Sequence, residues 1–139
     1  MKRAGILGLA IVSTLGLSVA ATQATPNKVK VKSEVEIDDF GTPKEPDVTF
    51  FGDVTADKRK CVKGRKVKLR QLTDGIDAGA DKTNRSGQWE VTFNGNEIPP
   101  GDFQATVKKR KVKQRKDGEV KKVYTCKKAV SPVFSVDLG

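Results

Sequence analysis

Hydrophobic and polar positions alternate with a period of two along most of this chain. Val29, Val31, Val35 and Ile37 alternate with Lys28, Lys30, Lys32, Glu34 and Glu36, which is the pattern of a half-buried strand. Val48 to Thr55 reads as a second strand, and the adjacent Phe50 and Phe51 predict burial on both faces there. Val67 and Leu69 alternate with Lys66, Lys68 and Arg70 as a third, and Ala80 to Thr83 reads as a short fourth. Trp89, Val91 and Phe93 point inward between Gln88, Glu90 and Thr92 in a fifth. Phe103, Ala105 and Val107 open a sixth, Val120 to Lys127 returns as a seventh, and Phe134, Val136 and Leu138 form an eighth. No stretch after the first two dozen residues has helical periodicity.

Turn residues separate these runs. Asp38 to Asp47, with Gly41, Pro43 and Pro46, and Thr73 to Gly79 read as loops. Asn84-Arg85-Ser86-Gly87 and Pro99-Pro100-Gly101 read as tight turns, and Asp117-Gly118 is a two-residue hairpin signal. About eight short strands at regular spacing predict an all-β fold, a small antiparallel β-sandwich with a long basic hairpin.

The N-terminus departs from this pattern. Met1-Lys2-Arg3 is a short positive region, Ala4 to Val19 is an uninterrupted small and apolar run, and small residues continue to Ala24. These are the three parts of a secretory signal peptide. Cleavage after Ala24 fits the small-residue rule, and cleavage after Ala20 or Ala21 fits nearly as well. The competing reading is an uncleaved anchor helix, since the run approaches the length needed to span a bilayer. The expected organisation is a leader, residues 1–24, and one domain, residues 25–139, secreted or held in the cell envelope and without a membrane-spanning segment once the leader is removed.

Charge adds an asymmetry. Removing Lys2 and Arg3 with the leader leaves 25 bases against 17 acids, a surplus of +8. Glu34 to Asp57 holds eight acids and one lysine, whereas Lys58 to Arg70 holds eight bases and no acid. Lys108 to Lys128 holds eleven bases and two acids. Such a block gathers anions, although a solvated face has the same composition. Two cysteines far apart in an exported chain, Cys61 and Cys126, predict one disulfide.

In the middle of the chain the motifs follow a recognisable order. It runs Gly52-Asp53-Val54-Thr55, Val67-Lys68-Leu69, Thr83-Asn84-Arg85-Ser86-Gly87-Gln88-Trp89-Glu90-Val91 and Pro100-Gly101-Asp102-Phe103-Gln104-Ala105. From Phe50 to Val107 this resembles the carboxypeptidase regulatory-like group of transthyretin-like (prealbumin-like) β-sandwiches. The resemblance implies a non-catalytic scaffold or extracellular module. The basic stretch from Lys58 to Arg65 and the hairpin after Val107 depart from the family pattern.

Most chemistry is disfavoured by composition. The chain contains no histidine, so Ser-His-Asp and Cys-His nucleophile systems are excluded. A carboxylate pair such as Glu90 and Glu97 has little cleft to work in, and no enzyme activity or cofactor is expected. Asp74, Asp77 and Asp81 could offer oxygen ligands to Ca²⁺, but their spacing is that of ordinary turn-capping acids, and no metal site is assigned. An isopeptide bond from Lys30 or Lys32 to Asp137 would need a buried pair, whereas these lysines fall on the polar face of their strand.

The basic hairpin is the candidate site. A turn at Asp117-Gly118 places Lys116 opposite Glu119, Val112 opposite Val123 and Lys111 opposite Tyr124. A sixth strand running unbroken from Asp102 to Lys116 would extend about 50 Å, so its tip should project from the domain. The ribbon carries Lys109, Arg110, Lys111, Lys113, Arg115, Lys116, Lys121 and Lys122. Its partner is unknown. Anionic polymers or envelope components fit it by charge, and Tyr124 alone could stack on a base.

Overall fold

The computed structural model describes residues 25–137, so the expected leader and Leu138 lie outside the described residues. Eleven strands run in chain order among them: β1 Asn27–Val31, β2 Ser33–Lys44, β3 Asp47–Ala56, β4 Lys66–Gln71, β5 Ile76–Lys82, β6 Gln88–Asn94, β7 Gly101–Val107, β8 Arg110–Lys116, β9 Glu119–Cys126, β10 Ala129–Val130 and β11 Phe134–Val136. A 3-10 turn, Arg59–Cys61, precedes β4. The described residues form an all-β fold, as the alternation predicts.

Two sheets make the sandwich. The first has the order β2-β3-β6, and the second has the order β10-β7-β4-β5 with β11 also paired to β7; all of these pairings are antiparallel. Val35, Phe50, Val54, Trp89, Val91 and Phe93 of the first sheet pack in one core with Val67, Leu69, Phe103, Ala105 and Val107 of the second. Phe50 is its hub, with ring centroids 4.5 Å from Phe103 and 5.7 Å from both Phe40 and Phe93, distances at which aromatic pairs attract. Trp89 lies opposite Gly52 across β3 and β6. A side chain at Gly52 would collide with the indole ring and with the Glu36 carbonyl, so the G-x-V motif makes room for the tryptophan.

A third sheet, of order β1-β9-β8, stands beside the sandwich. Its β8–β9 pair is antiparallel, but β1 runs parallel to β9. Val31, Tyr124 and Cys126 of this sheet form a second, smaller core with Cys61, flanked by Val29, Ala56 and Val112. The Cys61–Cys126 disulfide closes through this core with a Cα separation of 5.3 Å, as the cysteine count predicts.

The structure corrects several expectations. The first predicted strand divides at Lys32 into β1 and β2, because Val29 and Val31 serve the second core whereas Val35 serves the first. The loop expected from Asp38 to Asp47 is mostly strand, with irregularities between Ile37 and Asp39 and between Gly41 and Lys44. Phe50 is fully buried but Phe51 is 40% exposed, so adjacent aromatics mark one inward and one outward position and not a doubly buried strand. The fourth strand begins at Ile76, inside the loop expected from Thr73 to Gly79.

The long sixth strand is interrupted as well. The Lys108 N–H bonds to the Lys66 carbonyl, keeping the chain on the second sheet, and the strand resumes only at Arg110, on the third. The unbroken 50 Å ribbon therefore does not form. Its turn is as expected, with Asp117 and Gly118 both at positive φ and Lys116 opposite Glu119. Beyond Arg115, however, an irregularity shifts the register by one residue, so that Val112 faces Tyr124 and Lys113 faces Val123. The physical reason is burial: a one-residue slip exchanges the two faces of a strand, and this one turns Val112 inward in place of Lys111. Of the two lysines considered for an isopeptide bond, Lys30 lies in the third sheet whereas Asp137 follows β11 on the second.

Candidate polyanion-binding face

Pairing in the third sheet sets the geometry of the candidate site. Across the three strands, Lys30, Thr125 and Lys111 form one row, and Lys28, Val123 and Lys113 form the next. A third row joins Arg115 to Val120. Because Val29, Val31, Val112, Tyr124 and Cys126 point into the second core, these rows occupy the opposite face. Lys28, Lys30, Lys111, Lys113 and Arg115 are all exposed, while Val120, Val123 and Thr125 between them are half-buried. On this face the shorter side chains of the central strand, β9, lie between cations on the two outer strands.

All eight residues singled out on the hairpin are exposed, but the structure does not gather them on one side. Lys111, Lys113 and Arg115 share the outer face. Arg110 turns the other way, and its guanidinium donates to the carbonyls of Lys63 and Gly64 at 3.0 and 2.9 Å. Lys122 pairs with Gln114 on the inner side. Lys109 lies in the link between β7 and β8. Lys116 and Lys121 are at the tip, where Lys121 bonds to Glu119 at 2.9 Å and holds that carboxyl below its usual range.

Lys28 and Lys30 complete the face and were absent from the sequence-based set. Their signal was present: Asn27 to Lys32 alternates lysine and valine much as the hairpin does. What alternation could not give was the partner, a parallel strand almost a hundred residues away. Tyr124 is corrected too. It is 7% exposed, its hydroxyl bonds to Gln114, and the Lys60 ammonium sits 4.9 Å from its ring centroid. It cannot stack on a base.

A buried charge, beside the disulfide, ties the third sheet to the sandwich. Arg65, with no exposed surface, donates to Ser33 Oγ, to the Cys61 carbonyl and to the carbonyls of Lys108 and Lys127 at 2.6–3.0 Å. These acceptors come from the start of β2, the 3-10 turn, the β7–β8 link and the residue after β9. Burial, with a contribution from nearby Arg110, holds its pKa below that of a free guanidinium.

The sandwich carries a contrasting acidic depression of about 460 Å³, lined among others by Asp38, Asp53, Asp81 and Glu90. A hydrogen bond to Asp53 and then partial desolvation push the Asp38 pKa up to about 6, with Asp53 and Glu36 adding repulsion. Glu97 is not among its lining residues, so the Glu90–Glu97 pair is not assembled there. Asp74 accepts from Gln71, Asp77 lies 3.9 Å from Lys68, and Asp81 accepts the Glu90 N–H. Among the described residues no three metal-type ligands come together, and no helix is long and apolar enough to cross a membrane.

Comparison with protein-family models, curated proteins and solved structures found no match to this chain.

Proposed function

We propose that this chain is an exported, non-catalytic β-sandwich module that binds polyanions through the outer face of its third sheet. One observation carries the reading: five exposed cations on two strands, Lys28 and Lys30 on one and Lys111, Lys113 and Arg115 on the other, flank the half-buried Val120, Val123 and Thr125 of β9. Five like charges held about 7–10 Å apart repel one another, and an anionic polymer relieves that repulsion while releasing its own counterions. The signal-like N-terminus and the disulfide support an oxidising destination. The carboxypeptidase regulatory-like, transthyretin-like assignment is proposed for the sandwich on its motifs, with Gly52 making room for Trp89 as the motif's first glycine.

Charge reversal tests the site. Changing Lys28, Lys111 and Lys113 to Glu should abolish binding to an anionic polymer at moderate salt. The same number of reversals at Lys66, Lys68 and Arg70, on β4 of the second sheet, should leave most of it. Equal losses from the two sets would mean that only net charge matters. N-terminal sequencing of the exported protein should read from near Thr25.

A further inference from the structure

The shape of the face points to its ligand. Resting on the polyanion reading, we infer that the third sheet takes a single extended chain of phosphates, laid along β9 and recognised through its backbone alone. The outer strands, β1 and β8, are separated by two strand spacings, about 10 Å, and successive rows lie about 7 Å apart. A strip of that width between two rows of cations matches one linear chain, whereas a duplex is about twice as wide. The row spacing is comparable to the step between neighbouring phosphates in a stretched sugar–phosphate strand and spans about two phosphate units of an inorganic chain. Two rows offer a cation from each side, Lys30 with Lys111 and Lys28 with Lys113, and the third offers Arg115 alone.

The central strand decides what is not read. Val120, Val123 and Thr125 carry no ring, and the sheet's one aromatic, Tyr124, is buried on the other side. Single-strand binders that hold bases do so by aromatic stacking, which this face lacks. A phosphate chain without bases should therefore bind as well as one with them. Lysine ammonium groups are mobile point charges, suited to following a repeat of charge and not to fixing one headgroup.

The test is a titration of the whole secreted chain with labelled inorganic polyphosphate of graded lengths, oligo-dT of matched charge, a DNA duplex and anionic phospholipid vesicles. Polyphosphate affinity should rise steeply until about six phosphates span the three rows and then only in proportion to the number of available registers. Oligo-dT should bind within about threefold of matched polyphosphate, with a log–log salt slope near −3.5 for five cations on a single strand. Replacing exposed Lys28 and Lys30 by Gln should bring that slope to about −2, with an unchanged circular dichroism spectrum confirming the fold. Oligo-dT binding more than about tenfold tighter than polyphosphate would overturn the inference in favour of base recognition. Tighter binding to duplex or vesicles than to either single chain would overturn it in favour of a broad docking surface. If the Lys28 and Lys30 changes leave all binding untouched, the polyanion reading of this sheet itself fails.

Discussion

The two cores of this protein are held together by different means. Between the sandwich sheets, fourteen buried apolar residues form one cluster, centred on Phe50 and extended by further aromatic contacts. Under the third sheet the corresponding cluster has four members, two of which are the halves of a disulfide. A large apolar core stabilises through area removed from water. A small one cannot bury enough, and such cores need covalent or polar ties. Here those ties are the Cys61–Cys126 bond and the Arg65 guanidinium. The sheet that presents the cations is thus attached by a few specific links, whereas the sandwich beside it is held by bulk packing.

Truncating the hub of the large core is the strongest way to break this contrast. Phe50→Ala should cost about 4 kcal/mol and should lower the midpoint of global urea unfolding, with both cores lost together. A closed loop of this length contributes roughly 4 kcal/mol in the chain-entropy model, so reducing the disulfide should be nearly as costly. Its effect should be uneven, however. Hydrogen exchange should accelerate first in β1, β8 and β9 and later in β3, β4 and β6. Uniform acceleration would mean that the two cores unfold as one unit.

Arg65 is the polar tie of the third sheet. Arg65→Met keeps the bulk but strands three backbone carbonyls and Ser33 without their donor, at a cost of about 3 kcal/mol. Lysine should rescue only part of this, since it lacks the planar fork that reaches four acceptors. The expected readout is loss of polyanion binding at a temperature where the far-UV spectrum of the sandwich is retained. A variant that binds normally would show that Arg65 does not tie the third sheet.

The smallest effect belongs to the acidic side of the sandwich. Asp38 has a folded pKa of about 6, above its ordinary value of 3.8, so the folded state holds its proton more tightly than the unfolded one. That contribution is present at pH 4 and is lost as pH rises through 6. Asp38 is exposed, so solvent screening limits it to about 0.5 kcal/mol. Asp38→Asn should flatten the stability profile between pH 4 and pH 6.5 relative to the wild-type chain. Identical profiles for the two proteins would place the repulsion elsewhere.

Alternation, turn residues and cysteine count were enough for the class of fold, the inward sets Val67-Leu69, Trp89-Val91-Phe93 and Phe103-Ala105-Val107, the turn at Asp117-Gly118 and the pairing of the two cysteines. These are local matters, or matters of elimination: alternation reports which side of a strand is apolar, and an Asp-Gly step reports a turn, wherever the strand ends up. Tertiary structure alone decided that the hairpin leaves the sandwich at Lys108, that its register slips to bury Val112, and that Lys28 and Lys30 arrive on a parallel strand beside β9. Lys-Val alternation reads identically for a strand of either sheet. Its partner was selected by the second core, which exists only once Cys61, Val31 and Tyr124 have been brought together from three distant parts of the chain.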